Sequence, residues 1–486
     1  MESESESPLK FIFLPFPTPG HMLYMADLAI TLASHGVECH IITTPGNAHI
    51  FETSGNNPPM TVHTLNLQRP SVGPDAGVEN FRSATSNEMR ANLYHAISML
   101  RKPTEDLIKQ LLPLDCIISD MFFPWTSDLA LEIQVPRVVH HSSIFNKCCA
   151  YSVTLHYAPH ELVEKDDDTL LIPSLPHKIE MKKSQLPQWV RVPSQYTRLI
   201  EAVREAELKC YGVLSNTFCD QEKEYEEYYY KLTGLKIWNI GPHCLRVNRK
   251  EEKVESSFWK DCLKWLDQKK PNSVLYVSFG SLTRFPDHQL REIAAGLEAS
   301  AHDFIWVVRK KKEDETMEED NEGYFSIEEF RKKVEKSNKG LIIEDWAPQL
   351  SILEHQAIGG MVTHCGWNTI LEAVSIGGIP LITWPLFAEQ FYNERLVVDV
   401  LKIGVAVGVT VWCNVDEAGK EIISREKVEL AVRLLMDDGE SAAEMKRRAK
   451  ELSEGARRSV QSGGSSQTNL VAFLDELRTK TRSKVV

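Results

Sequence analysis

Short apolar, β-rich runs alternate with helix-like segments along this chain, and the alternation occurs twice, on either side of one charged stretch, NRKEEKVESS. In the first series, residues 10–16 are a buried-strand candidate, closed by a Pro/Gly loop at Gly20. Residues 22–34 carry apolar side chains at helical spacing, and 37–43 read as a second strand. Strand, helix and strand in so short a span make a βαβ unit, which requires parallel pairing. The runs 115–119, 136–140 and 211–216 continue that half as strands, with a helix over 127–134. The second series has strands at 273–279, 304–309, 340–344, 359–364 and 379–384, with helices at 289–300 and 370–376. Residues 311–338, rich in Glu and Lys, read as a mobile surface excursion, and the tail from Arg425 as long amphipathic helices.

The pattern predicts an α/β protein built from two doubly wound parallel-sheet domains. Its 486 residues agree, because a single core rarely grows past about 250–300 residues. The predicted division is a first domain over 1–246, a linker over 247–257, a second domain over 258–462 and a last helical segment over 463–486. Ligands of such sheets bind beyond the carboxyl ends of the strands, so two facing halves would share a cleft.

Composition removes several function classes. A net charge of −13 without a basic stripe is a poor match for nucleic acid. Ten scattered cysteines with no CxxC pair argue against zinc and for a reducing compartment. The N-terminal MESESESPLK is not a signal-peptide start, and no run reaches the ~20 apolar residues of a membrane span. The expected setting is cytoplasmic. The first strand–helix turn, PFPTPGHML, lacks the GxGxxG of a nicotinamide dehydrogenase, and no HExxH, GxSxG or GxxxxGK[ST] occurs. No Asp-x-Asp stands at a strand end to hold a metal with a diphosphate, so no metal is expected.

The strongest chemical signal is residues 346–390, WAPQLSILEHQAIGGMVTHCGWNTILEAVSIGGIPLITWPLFAEQ. Here a strand runs into the turn His364-Cys-Gly366-Trp-Asn368-Thr369, and a helix opens at about Ile370 with Asn368 or Thr369 as its cap. Backbone N–H groups at a helix start suit a diphosphate, and His364 can add a hydrogen bond or a positive charge. Glu372 can accept from ribose hydroxyls, and Trp346 can stack on a planar base. Taken singly, Trp346 and Trp367 could equally be core aromatics, and Glu372 could merely complement the helix dipole. In the first half, His21 and Asp120 both follow strands and both stand at carboxyl ends. A His suits removal of a hydroxyl proton, and a carboxylate behind it fixes its tautomer. Alone, His21 could be a loop residue and Asp120 a turn former.

The whole 346–390 run resembles the signature segment of the plant UDP-dependent glycosyltransferases, the plant secondary product branch of family 1. The resemblance implies the GT-B fold, two Rossmann-like domains, and inverting, metal-independent transfer with a UDP-sugar as co-substrate and no cofactor. It implies that Trp346 stacks on uracil and Ala347 bonds it through the backbone, while Gln349 and Glu372 hold the ribose. His364, Gly366, Asn368 and Thr369 would hold the phosphates, helped by Ser281 in the FGS turn, and Trp367, Glu389 and Gln390 would face the sugar. The catalytic base and its acid partner fall on His21 and Asp120, and the last helix would cross back onto the first domain.

Three positions depart from the family pattern. Thr369 stands where Ser is usual, Tyr24 stands where Pro is common, and Ile376-Gly377-Gly378-Ile379-Pro380 carries one residue more than usual. The segments DMFFPW, LPHKIEMKKSQLPQWV and YGVLSNTF resemble the branch acting on triterpenoid and steroid sapogenins and on flavonoids. Phe122, Phe123, Trp125, Phe145, Leu186 and Trp189 are the expected acceptor lining. The expected activity is glucosyl transfer to a triterpenoid sapogenin or saponin by a monomer that binds no nucleic acid. A flavonoid or steroid acceptor and UDP-galactose are the alternatives. A Rossmann dehydrogenase and a silent nucleotide-sugar binder are the rival classes.

Overall fold

The first strand, β1 (Lys10–Leu14), sends Phe11 and Phe13 into one buried cluster and Ile12 and Leu14 into another. A strand apolar on both sides belongs in a sheet covered on both faces. The computed structural model describes residues 7–52, 60–67, 77–247, 257–309, 325–344 and 346–485. β1 is followed by β2 (Glu38–Thr43), β3 (Thr61–Thr64), β4 (Cys116–Ser119), β5 (Arg137–His141), β6 (Thr169–Ile172), β7 (Ile179–Lys182), β8 (Gly212–Ser215) and β9 (Ile237–Asn239). Then come β10 (Val274–Ser278), β11 (Asp303–Val308), β12 (Gly340–Glu344), β13 (Ile358–Thr363), β14 (Leu381–Thr383) and β15 (Gly404–Ala406).

Two parallel sheets result. The first has the order β3-β2-β1-β4-β5-β8-β9, the second β12-β11-β10-β13-β14-β15. In both, the chain starts in the middle, builds outward to one edge, then returns to build the other side. This is the doubly wound order of the Rossmann type, and the fold class is α/β as predicted. β6 and β7 form a separate antiparallel hairpin. Among the described residues no helix is long and apolar enough to cross a membrane.

The chain divides into two compact units. One comprises Met1–Ile144, Pro193–Asn248 and Arg458–Val486; the other comprises Phe145–Val192 and Arg249–Arg457. The predicted first domain, 1–246, therefore loses Phe145–Val192 to the second unit. The reason is local: Ser184 Oγ donates to the Thr410 carbonyl at 2.6 Å and Gln185 Nε2 to the Val409 carbonyl at 3.1 Å. Side chains so distant in sequence leave no signal in local periodicity. Of the linker read at 247–257, residues 248–256 lie outside the described residues, as do 311–324 of the predicted surface excursion.

The rest of that excursion is not loop. Ile327–Lys336 is a helix that buries Phe330 and Val334, and the Ser326 side chain caps it by accepting from the Glu329 amide at 3.2 Å. Ser-Ile-Glu-Glu is the sequence mark of such a start, masked by the surrounding charge. The last helix, Ser465–Val485, belongs to the first unit. Its Leu470, Phe473, Leu474 and Leu477 enter the same core as Phe11 and Trp238.

Candidate active site

In each sheet the strand order reverses direction between two neighbouring strands, β1 and β4 in the first, β10 and β13 in the second. The connections leaving the carboxyl ends of such a pair diverge and open a crevice. The catalytic and phosphate-site candidates all lie in the connections that leave the carboxyl ends of these four strands, Asp120 and His364 directly after β4 and β13, Ser281 three residues after β10, and His21 on the helix that follows β1.

In the first unit, the helix after β1 runs from Pro19 to Ala33. It starts earlier than the spacing suggested because Pro19 occupies its first turn after an extended Thr18, a position where proline's fixed φ suits the helix. His21 thus stands on a helix, not in a loop. Asp120 follows β4 directly, and its amide donates to the Leu14 carbonyl at 2.9 Å, tying it to the end of β1. His21 Nδ1 and Asp120 Oδ2 are 2.6 Å apart, and Asp120 Oδ1 accepts from the Phe122 amide at 3.0 Å. With both oxygens engaged, the carboxylate is fixed. It keeps the proton on Nδ1 and makes Nε2 the basic nitrogen. Asp120 is buried at 4% exposure, while the His21 side chain is 35% exposed. The pair therefore joins a sequestered anion to a ring that a substrate can reach.

Burial raises the Asp120 carboxyl. The His21 charge and hydrogen bond, the Phe122 amide and the His141 charge outweigh it and hold the group below the usual carboxylate range. Buried Arg137 steadies the end of β4, donating to Ser119 at 2.9 Å and Thr126 at 2.6 Å. Phe16 and Phe122 lie 6.1 and 5.8 Å from the His21 ring, and Phe81 stacks on Phe16 at 5.4 Å. Of the expected acceptor lining, Phe122 and Phe123 join this cluster, and Trp125 packs on Phe123. Phe145, Leu186 and Trp189 belong to the other unit, where Phe145 and Leu186 are fully buried. Phe16 and Phe81 were not singled out in the sequence. Tyr24, the unusual residue, is buried against His140, ring centroids 4.6 Å apart.

In the second unit, β10 ends ahead of Gly280-Ser281 and β13 ahead of His364. The His364 ring lies between two glycines. A Cβ on Gly280 would stand 2.5 Å from its Cε1, and one on Gly366 2.5 Å from its Nε2. No side chain fits at either place. Burial pushes the His364 imidazole down to about 4, so at neutral pH it is uncharged. In that state it offers a hydrogen bond and not a positive charge.

The helix after this turn begins at Trp367, not near Ile370, and its cap is Gly366, whose carbonyl accepts from the Ile370 amide at 3.1 Å. Neither Asn368 nor Thr369 is the cap; both stand in the first turn. Helix N–H groups in a first turn point outward along the axis and favour an anion. The surplus residue near Gly377 sits where the helix widens into a π turn, Ala373–Gly377, closed by Gly378 at φ 58°. A π turn holds one residue more than an α turn, so the turn before Trp367 is undisturbed.

Gln349 and Glu372 are brought together, with Gln349 Nε2 donating to Glu372 Oε2 at 2.6 Å. Tyr276 on β10, not noticed in the sequence, donates to Gln349 Oε1 at 3.3 Å and so fixes which way the amide points. Trp346 and Ala347 follow β12, and Trp346 is 51% exposed, as a stacking platform requires. Trp367 by contrast is buried at 3% exposure, so its ring is part of the core and not an open platform. Glu389 precedes the helix Gln390–Arg395. Gln390 is buried, and its oxygen accepts from the Leu386 and Phe387 amides at 2.9 and 3.1 Å. Its donor side is what a sugar hydroxyl can use. Among the described residues no group of three or more His, Cys, Asp or Glu is placed to hold a metal ion.

Residues 253–440 match the family described as UDP-glucoronosyl and UDP-glucosyl transferase. The chain is 53% identical over 480 residues to UDP-glucosyl transferase 73DL1 of Saponaria officinalis, covering 97% of this chain and 96% of that one. It is 44% identical to soyasapogenol B glucuronide galactosyltransferase of Glycine max, covering 98% and 97%. The crystal structure of Glycyrrhiza uralensis UGT73P12 with glycyrrhetinic acid 3-O-monoglucuronide is similar at a TM-score of 0.90 and 41% identity, over 98% of this chain and 97% of that one.

Proposed function

This chain belongs to the plant family 1 UDP-dependent glycosyltransferases, inverting enzymes of the GT-B fold, and from that premise we propose that it transfers glucose from UDP-glucose to a hydroxyl of a triterpenoid sapogenin or saponin. The observation that carries the reading is the His21–Asp120 pair at 2.6 Å. His21 Nε2 takes the proton of the acceptor hydroxyl. The oxygen forms a bond to the anomeric carbon as the bond from that carbon to the UDP oxygen breaks on the opposite face, and an α-linked donor gives a β-glycoside. Asp120 stabilises the imidazolium that forms. The first-turn amides after Gly366 and neutral His364 meet the charge of the departing diphosphate. A metal ion does that work in other folds, and none is required in this reading.

Charge favours a neutral hexose over glucuronate, and the Saponaria officinalis relative named a glucosyl transferase favours glucose. No Lys or Arg occurs from Phe11 to Gln68 or from Trp346 to Gln390, and a glucuronate carboxylate calls for a cation, best a bidentate Arg. Glu389 would repel a carboxylate, whereas the Gln390 amide suits a neutral hydroxyl. The sapogenin acceptor is supported by the relatives named for a soyasapogenol glucuronide and solved with a glycyrrhetinic acid glucuronide. The Glycine max relative is named a galactosyltransferase, and this makes galactose the second reading. The test is competition among equimolar UDP-glucose, UDP-galactose and UDP-glucuronate against sapogenin and flavonoid panels. Glucose with a sapogenin is expected. Preference for glucuronate would refute the charge argument, and preference for galactose would replace the first reading by the second.

A further inference from the structure

The helix Gln390–Arg395 is short, yet three of its buried side chains reach back to the chain segments that carry the donor residues. Gln390 holds the Leu386 and Phe387 amides. Glu394 accepts from Thr383 Oγ1, at the end of β14, at 2.7 Å, and pairs with Arg395 at 2.6 Å. Asn393, wholly buried, donates from Nδ2 to the carbonyl oxygen of Cys365 at 2.9 Å.

Cys365 stands between His364 and Gly366 with φ at 65°. That is the left-handed region, which residues bearing a side chain seldom adopt and which persists only where the surroundings enforce it. Two hydrogen bonds enforce it here: Thr363 Oγ1 accepts from the Cys365 amide at 3.1 Å, and Asn393 takes the carbonyl. The Cys365 carbonyl and the Gly366 N–H are the two poles of one planar trans peptide. Anchoring the oxygen on Asn393 therefore aims the Gly366 N–H the opposite way.

We propose that Asn393 is a positioning residue for the donor diphosphate: through the Cys365 carbonyl it sets the orientation of the Gly366 N–H and of the turn that follows. The inference rests on the reading that Gly366, Asn368 and Thr369 hold the phosphates. It extends the donor machinery beyond the 346–390 segment, to a wholly buried side chain.

The test compares UDP with uridine, which shares base and ribose but has no phosphate, by calorimetry on the full-length protein. The wild type should bind UDP far more tightly. If it does not, the phosphate assignment fails and the proposal falls with it. Asn393→Leu, of similar size but with no donor, and Asn393→Ala should each weaken UDP by about fivefold or more, the worth of one hydrogen bond, with uridine unchanged and the KM for UDP-glucose raised more than kcat falls. Equal weakening of both ligands, or a wild-type ratio in folded variants, overturns the proposal. Hydrogen exchange on the unaltered protein gives an independent reading. UDP, and not uridine, should slow exchange in Gln390–Arg395, and unchanged exchange there overturns the proposal as well.

Discussion

His21 draws its chemistry from one contact. Removing the ring as His21→Ala should lower turnover by about 10²–10⁴-fold, the worth of a general base, while UDP still binds, because the donor residues lie in the other unit. Asp120→Ala should cost roughly 10²-fold by releasing the tautomer. Steady-state rates with UDP calorimetry check both, and wild-type turnover in His21→Ala would overturn the assignment. The same pair predicts a pH effect on stability. A carboxyl depressed in the folded state contributes stability that is present above its unfolded value, near ~3.9, and is lost as pH falls through the folded value. His21→Ala removes two of the influences that depress Asp120 and leaves burial opposed by the Phe122 amide and His141. Asp120 then takes up its proton at higher pH, so the acid limb of Tm against pH should move up. An acid limb that stays in place would mean that His21 does not hold Asp120. At the donor turn, Gly280→Ala and Gly366→Ala would each drive a methyl into the His364 ring. Overpacking of this kind costs ~1–3 kcal/mol, and the KM for UDP-glucose should rise by about tenfold or more. An unchanged KM would show that the ring can move aside.

Among the elements, the last helix bears most on stability. Ser465–Val485 buries Leu470, Phe473, Leu474 and Leu477, with Phe473 set edge-on to Phe11 at 6.1 Å. Its Glu476 pairs with Lys236 at 2.6 Å and accepts from the Tyr211 hydroxyl, and Asn469 donates to the Asn239 carbonyl at 3.1 Å. Each large apolar side chain so buried contributes about 1.5–3 kcal/mol, so ending the chain at Gly463 should lower stability by several kcal/mol. Thermal melting checks this, and an unchanged Tm would make the helix a dispensable tail. Elements also explain where the boundaries read from spacing slipped. Periodicity finds the middle of the helix after His364 but not its start. Gly366 caps it without a side-chain bond, so the usual Ser, Thr, Asp or Asn mark is missing. The helix over Ile327–Lys336 went unread for the opposite reason, its Ser326 mark being hidden in a run of charge.

For the whole molecule, the expected outcome of excess chelator is undiminished turnover, since in the proposed mechanism amides and His364, not a cation, meet the leaving diphosphate. Loss of activity that Mg²⁺ or Mn²⁺ restores would refute metal independence. Two parallel sheets, their approximate strands and the turn that gathers the candidate donor residues of 346–390 were legible in the chain, because burial on both faces and turns at strand ends write themselves into consecutive residues. His21 and Asp120 could be named, since each follows a strand, but nothing local says that residues so far apart in sequence meet at 2.6 Å. That contact depends on β1 and β4 being neighbours, which is a property of strand order. The same holds for the neutrality of His364, set by burial, for the Gln349–Glu372 bond with Tyr276 behind it, and for Asn393 on the Cys365 carbonyl. The assignment of Phe145–Val192 to the second unit is likewise decided by bonds to Val409 and Thr410. Local patterns specify which residues can form an element, and only the packed chain decides which of them touch, since burial and hydrogen bonding act between residues with no fixed separation in sequence.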